Sequence, residues 1–268
     1  MDHAKSGSRL EEMETLEPRV EPGLPSITWP AVKALAKSLS RETGALKGLG
    51  LIWRSNSWDM IANKPEWHPE YFEFEDGEEE EVYRKYFNLL TPTIILYNNL
   101  KRQYGEYLAD EIMANMAIPV TIAFYPVGLA PDDKTDIDQW RQSVADAWGS
   151  KAYTCTQWVS EDRTEYRIRW TKCAPIMILK AYGLHSYAGN MCMTDHVLFD
   201  CLMPEVIFSR AHAIGAGDSY CDHIIRLPLS EDDRKVEDDY AYCYKVKGGR
   251  EAVRHWEEVY KRFGDFRF

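Results

Sequence analysis

The sequence predicts an α+β fold: an antiparallel sheet, with its elements in the order ββααββ, packed against helices, and a helical N-terminal half. Two observations carry this. Up to about residue 149 the apolar residues recur near the helical period, and beyond it they alternate as strands do. Runs of one element type followed by runs of the other belong to α+β architectures rather than to alternating α/β ones.

Taken in order, residues 1–27 are polar, carry prolines at 18, 22 and 25, and read as a flexible arm. The rest, 28–268, reads as one α+β domain, helical over 28–149 and sheet-bearing over 150–268. Trp29-Pro30 opens a helix to about Lys47, with proline at an early helical position. Residues 48–77 mix Gly, Pro, Trp and acids and look irregular. Helical spacing returns at Glu78, is interrupted at Thr91-Pro92, and resumes to about Met116, with an extension towards Ala123. Acids over 132–138 offer N-caps for a helix ending near Gly149. Residues 152–159 and 164–171 alternate as strands around the turn 160–163. On the second strand Tyr166, Ile168 and Trp170 face one way, Arg167 and Arg169 the other. Helices are expected over 174–184 and 188–202, the latter stopped by Pro204. Strands follow over 206–214 and 221–229, joined by GAGDSY (215–220), and an amphipathic helix over 248–263 ends the chain.

Composition narrows the function. Nine Trp and 16 Tyr can build a sizeable core. A net charge of −11 argues against binding nucleic-acid phosphates or anionic membrane surfaces. Part of that charge is local, seven acids within 73–81, read as a solvated face or loop. No apolar signal region and no 18-residue apolar stretch is visible, so a cytoplasmic protein with reduced cysteines is expected.

Several residues could carry chemistry. Cys173 ends a strand just before Ala174-Pro175, where a helix N-terminus favours a thiolate; a small buried cysteine is the plainer reading. Cys192 and Asp195 share a helical face continued by Phe199, and a carboxylate on an apolar face needs a partner. Asp218, Cys221 and Asp222 close the connection that Gly215 and Gly217 make flexible. Cys221 and His223 share a strand face with Ile225. Arg210, grouped with Phe208, His212 and Ile214, suits a substrate carboxylate or an ordinary edge ion pair. His196 points off the Cys192–Asp195 face and reads as structural.

The segment 169–222 resembles the family of L-2-amino-thiazoline-4-carboxylic acid hydrolases. The pieces that carry the resemblance are KCAPI (172–176), CMTDHVLF (192–199), FSRAHAIGAGD (208–218) and GDSYCD (217–222), in this order and at these spacings. Two positions depart from the family pattern: Ala174 stands between Cys173 and Pro175, and His223 replaces an aromatic or apolar residue. The resemblance implies a soluble enzyme that opens a small C–N/C–S ring by adding water at a cyclic amidine-type carbon. It implies a catalytic set of Cys173, Cys192, Asp195, Cys221 and Asp222, with Arg210, Phe199, Gly217, Asp218 and His223 at the substrate. No cofactor is expected on the thiolate route; the alternative is a zinc ion held by Cys173, Cys192 and Cys221. Two other functions stay open: a non-hydrolytic cyclase or isomerase of secondary metabolism with an apolar pocket, and a small-molecule-binding module. The expected partner is a small-molecule substrate, and a homo-oligomer is compatible with the sequence.

Overall fold

A glycine sets the first departure from these expectations. Helix α1 (Trp29–Thr43) and helix α2 (Ala45–Asn56) are separated by Gly44 alone, at φ +88°. The chain turns there and stays helical to Asn56, through residues 48–56 that had looked irregular. The two helices meet at Gly48, where a Cβ would stand 2.7 Å from the Ser40 backbone, so only glycine permits the approach. The structure, a computed structural model, describes residues 14–15, 29–56, 58–113, 116, 131–148, 150–185, 187–189, 191, 192, 195, 199, 205–210 and 212–227.

After the short helix α3 (Trp58–Ala62) and a 3-10 turn at Pro69–Tyr71 comes α4 (Gly77–Tyr104), which runs straight through Pro92. The interruption expected there does not occur. Pro92 cannot bond to the Asn88 carbonyl, but Asn88 lies on the exposed side, where solvent can reach that group. Phe87, Thr91, Ile94 and Ile95 around it are buried, and the Thr91 hydroxyl donates to the Phe87 carbonyl at 2.7 Å. Packing on the core side therefore outweighs the missing bond. The helix stops at Gly105, φ +82°, and the chain is helical again over 106–113. Helix α5 (Ile137–Trp148) begins on an acidic cap, as expected: Asp136 accepts the N–H groups of Asp138 at 2.9 Å and Gln139 at 3.2 Å.

An antiparallel sheet joins β1 (Glu14–Thr15), from before the helices, to four strands past α5, β2 (Tyr153–Val159), β3 (Glu165–Cys173), β4 (Ile207–Ser209) and β5 (Cys221–Arg226), in the spatial order β1-β2-β3-β5-β4. The pairing of residues 14–15 with β2 places a piece of the expected arm at the sheet edge. The alternation of β3 is as read: Tyr166, Ile168 and Trp170 are buried, and Arg169 is exposed. Helix α6 (Ala174–Ala181) follows β3 directly, shorter than the 174–184 expected, because Gly183 turns the chain at φ +86°. Of the second expected helix, 188–202, only residues 188, 189, 191, 192, 195 and 199 are described, all helical, so the full ββααββ order lies partly outside the described residues.

Strand β4 is also shorter than expected. Arg210 leaves the ladder, and Ile214–Ala216 forms a 3-10 turn, so GAGDSY belongs to a longer link over 210–220 and is not a simple hairpin tip. The expected final helix at 248–263, the extensions to Ala123 and Leu229, and the remainder of 1–27 lie outside the described residues. One core joins α4, α6 and the buried sheet face. Among the described residues no helix is long and apolar enough to cross a membrane.

Candidate active site

The register of β3 against β5 decides which residues can meet. Trp170 pairs with Cys221, Arg169 with Asp222 and Ile168 with His223. Alternation then turns Cys221 and His223 to the core side and Asp222 to the opposite one. Cys221 is buried and His223 is mostly so. The His223 ring lies edge-on to Phe208 at 5.2 Å and to Trp170 at 5.8 Å.

On the core side, Arg210 is the organising charge. It is 1% exposed, and its Nη2 donates to the Asp195 carboxylate at 2.6 Å and to the Cys192 carbonyl at 3.1 Å. The carboxylate partner that Asp195 needed is thus a buried arginine. His223 Nε2 stands 3.8 Å from the same carboxylate oxygen. Burial pushes the Asp195 pKa above the ordinary carboxylate range, and Arg210 pulls it partly back. Phe199 extends this corner by stacking on Phe208 at 4.4 Å and lying 5.5 Å from Trp140.

Three thiols border the corner. Cys173 is the last residue of β3 and the N-cap of α6, with extended backbone, and is half-buried. Burial pushes its pKa well above the usual thiol value; negative charge at Cys192, Cys221 and Asp195 would push it further, while the Ile176 N–H works the other way. The helix N-terminus expected to favour a thiolate is present, and burial outweighs it. Cys221 is raised by burial too, against the Arg210 charge and the Ile214 N–H, which donates to its sulfur at 3.2 Å. Cys192 is buried beside Gly215, where a Cβ would stand 2.8 Å from its sulfur. Cys155 lies apart from this group on β2, its thiol pushed up to about 12 by burial. Among the described residues no group of three or more His, Cys, Asp or Glu side chains is arranged as metal ligands would be, Cys173, Cys192 and Cys221 included.

The remaining expected site residues fasten the loop. Three successive backbone N–H groups each find a side-chain acceptor from GDSYCD: His212 on Asp222 at 2.5 Å, Ala213 on Asp218 at 2.9 Å, and Ile214 on Cys221 at 3.2 Å. Asp222 also faces the His212 ring at 3.3 Å, on the far side of the sheet from Asp195. His212 therefore turns away from Phe208 and Arg210. Gly217, at φ +103°, ends the 3-10 turn and is exposed.

Three further residues gather at Cys173. Glu79, 3% exposed within the acidic run read as solvated, accepts from Lys172 at 3.0 Å. Tyr83, one helical turn on, is 1% exposed, and its hydroxyl donates to the Met177 sulfur at 3.3 Å. Sequence reasoning took Glu79 as solvated, which its 3% exposure corrects, and gave Lys172 and Tyr83 no role. The adjacency of Lys172 and Cys173 was the one available signal, since the other contacts join distant parts of the chain.

Residues 83–225, more than half of the chain, match the family described as L-2-amino-thiazoline-4-carboxylic acid hydrolase. Comparison with curated proteins and with solved structures gave no match.

Proposed function

The chain belongs to the L-2-amino-thiazoline-4-carboxylic acid hydrolase family, and from that premise we propose that it opens a small cyclic amidine-type substrate by adding water across a ring bond. The observation that carries the reading is the Asp195 carboxylate, held by buried Arg210 at 2.6 Å beside three thiols and His223. A carboxyl whose pKa burial raises is a better proton acceptor than an ordinary carboxylate and can return the proton later, which is what ring opening requires. Arg210 is already engaged by Asp195, so its role here is to aim that carboxylate rather than to hold a substrate carboxylate.

Access distinguishes the thiols. Cys192 and Cys221 are buried, whereas Cys173 is half-buried and reachable. Because burial keeps Cys173 protonated, it needs a base. As its sulfur bonds to the amidine carbon, the thiol proton passes to Asp195 and the C=N electron pair moves to nitrogen. Asp195 then protonates the departing ring atom as the ring bond breaks. Water cleaves the new carbon–sulfur bond and restores the thiol, so one water is added overall. His223, 3.8 Å from Asp195, is the ring that would share the proton after closing to hydrogen-bond distance.

A second reading has one observation in its favour: the rings of Phe199, Phe208 and Trp170 give the corner an apolar wall. The same proton-transfer pair without water would close or isomerise a ring. The test is turnover of an aminothiazoline carboxylate followed by mass. Gain of one water, lost in both Asp195→Asn and Cys173→Ala, supports hydrolysis. Full turnover in both variants removes the assignment, and an isomeric product favours the second reading.

A further inference from the structure

The start of α4 clasps the chain on both sides of Cys173. Glu79 and Tyr83 are four residues apart and share a helical face. Glu79 takes the Lys172 ammonium, immediately before Cys173, at 3.0 Å. Tyr83 reaches Met177, four residues after Cys173 and one turn up α6, at 3.3 Å. The phenol is thereby held against the first turn of α6, which Cys173 caps, and charge at Cys173 acts on it.

The partner of that phenol is a poor one. Tyr83 is 1% exposed, and a thioether sulfur is only a weak acceptor. A buried hydroxyl gains most from a strong acceptor, above all a charged one. The acceptor that would appear nearby during the proposed reaction is the Cys173 sulfur as it loses its proton. Tyr83 would remain a donor throughout, because burial first, and then negative charge at Glu79 and Cys173, hold its own proton tightly. The other titratable groups around Cys173 are Cys192, Cys221 and Asp195, which disfavour its thiolate, with Lys172 next to it already engaged by Glu79 and Glu75.

We propose that the Tyr83 hydroxyl leaves Met177 and donates a hydrogen bond to the Cys173 sulfur when that thiol ionises. This rests on the reading of Cys173 as the nucleophile. No atom is transferred from Tyr83. It offsets the burial that keeps the thiol protonated, at the moment Asp195 takes the proton.

The test is the pH dependence of Cys173 alkylation by iodoacetamide, read on its own peptide by mass spectrometry, with the full chain and no substrate. In Tyr83→Phe the profile of Cys173 should move up by about one pH unit, a tenfold slower reaction below the midpoint. In Met177→Leu the hydroxyl loses its thioether partner, and the profile should move down. A Tyr83→Phe profile superposing on the wild type overturns the proposal. If circular dichroism shows Tyr83→Phe unfolded, Met177→Leu decides alone, and an unmoved profile overturns it. Shifted profiles in a protein that opens no ring would sink the proposed hydrolysis while leaving the Tyr83–Cys173 interaction standing.

Discussion

Arg210 Nη2 lies 2.6 Å from the Asp195 carboxylate and 3.1 Å from the Cys192 carbonyl, so one buried guanidinium fixes both ends of the Cys-x-x-Asp stretch. Arg210→Met leaves the carboxylate without its cation. It should cost about 3 kcal/mol in urea unfolding at neutral pH and remove turnover. Arg210→Lys should recover only part, since both bonds leave from Nη2 and the shorter lysine side chain would have to bring its ammonium to that position. The pH dependence has a definite sign. A carboxyl whose folded pKa is raised contributes stability that is present below its unfolded value of 3.8 and is lost as pH rises through the folded value. Without Arg210 that value rises further. The deficit of Arg210→Met should therefore shrink as the medium is acidified towards the range where Asp195 binds a proton.

Gly215 predicts a steric failure. A Cβ there meets the Ala188 carbonyl oxygen and the Cys192 sulfur, each at 2.8 Å. The carbonyl belongs to backbone and cannot swing aside. Gly215→Ala should destabilise by about 1–3 kcal/mol and lower activity through displacement of the Cys192–Asp195 turn. A melting temperature equal to that of wild type would contradict this packing.

The Glu79–Lys172 pair predicts an asymmetry. Glu79 is 3% exposed, while the Lys172 side chain keeps 26% of its surface. Burial disfavours the charged amine of Lys172, and Glu79 with Glu75 outweighs that effect. Lys172→Met strands a buried carboxylate and should cost about 2–3 kcal/mol. Glu79→Gln keeps one acceptor oxygen, for the Glu75 N–H that Glu79 accepts at 2.6 Å, and strands no charge, so it should cost less. Equal losses for the two variants would mean that the pair is not buried in solution as it is here.

Asp59 makes the helical half sensitive to acid. It is fully buried and accepts from Asn63 at 2.6 Å, Asn99 at 2.7 Å and Arg54 at 3.1 Å. Burial raises its pKa, but the hydrogen bonds of Asn99 and Asn63 and the charges of Arg54 and Arg102 prevail and hold it below 3.8. A depressed folded value means stability present above the unfolded value of 3.8 and lost as pH falls from there through the folded value. Asp59→Asn should be less stable than wild type at neutral pH, and the gap should narrow below about pH 4.

How much of this could be read from residue order depends on the range of each interaction. The change of period near residue 149, the cap at Asp136 and the faces of β3 are local and were legible. The opposite facing of Cys221 and Asp222 was legible too, because alternation alone separates neighbours on a strand. The resemblance grouped them in one catalytic set, and alternation has the better physical warrant. Three features were not legible. Helix α4 passes through Pro92 because burial elsewhere outweighs a lost bond, and local propensity does not contain that term. Tyr83 meets Met177 across 94 positions. The carboxylate on an apolar face signalled that Asp195 needed a partner but could not name Arg210, 15 positions away.

The three fastened amides of residues 212–214 have a consequence for motion. Each donates to a side chain, outside any strand ladder or helical turn. Their hydrogens should exchange with deuterated solvent as slowly as those of the neighbouring strands, although glycines at 215 and 217 suggest a slack connection. The segment is a splint: it is pinned at three successive amides and tied to α6 by the Lys180 ammonium on the Ile214 carbonyl at 3.1 Å, so a ring bound in the corner beside it meets a stiff wall.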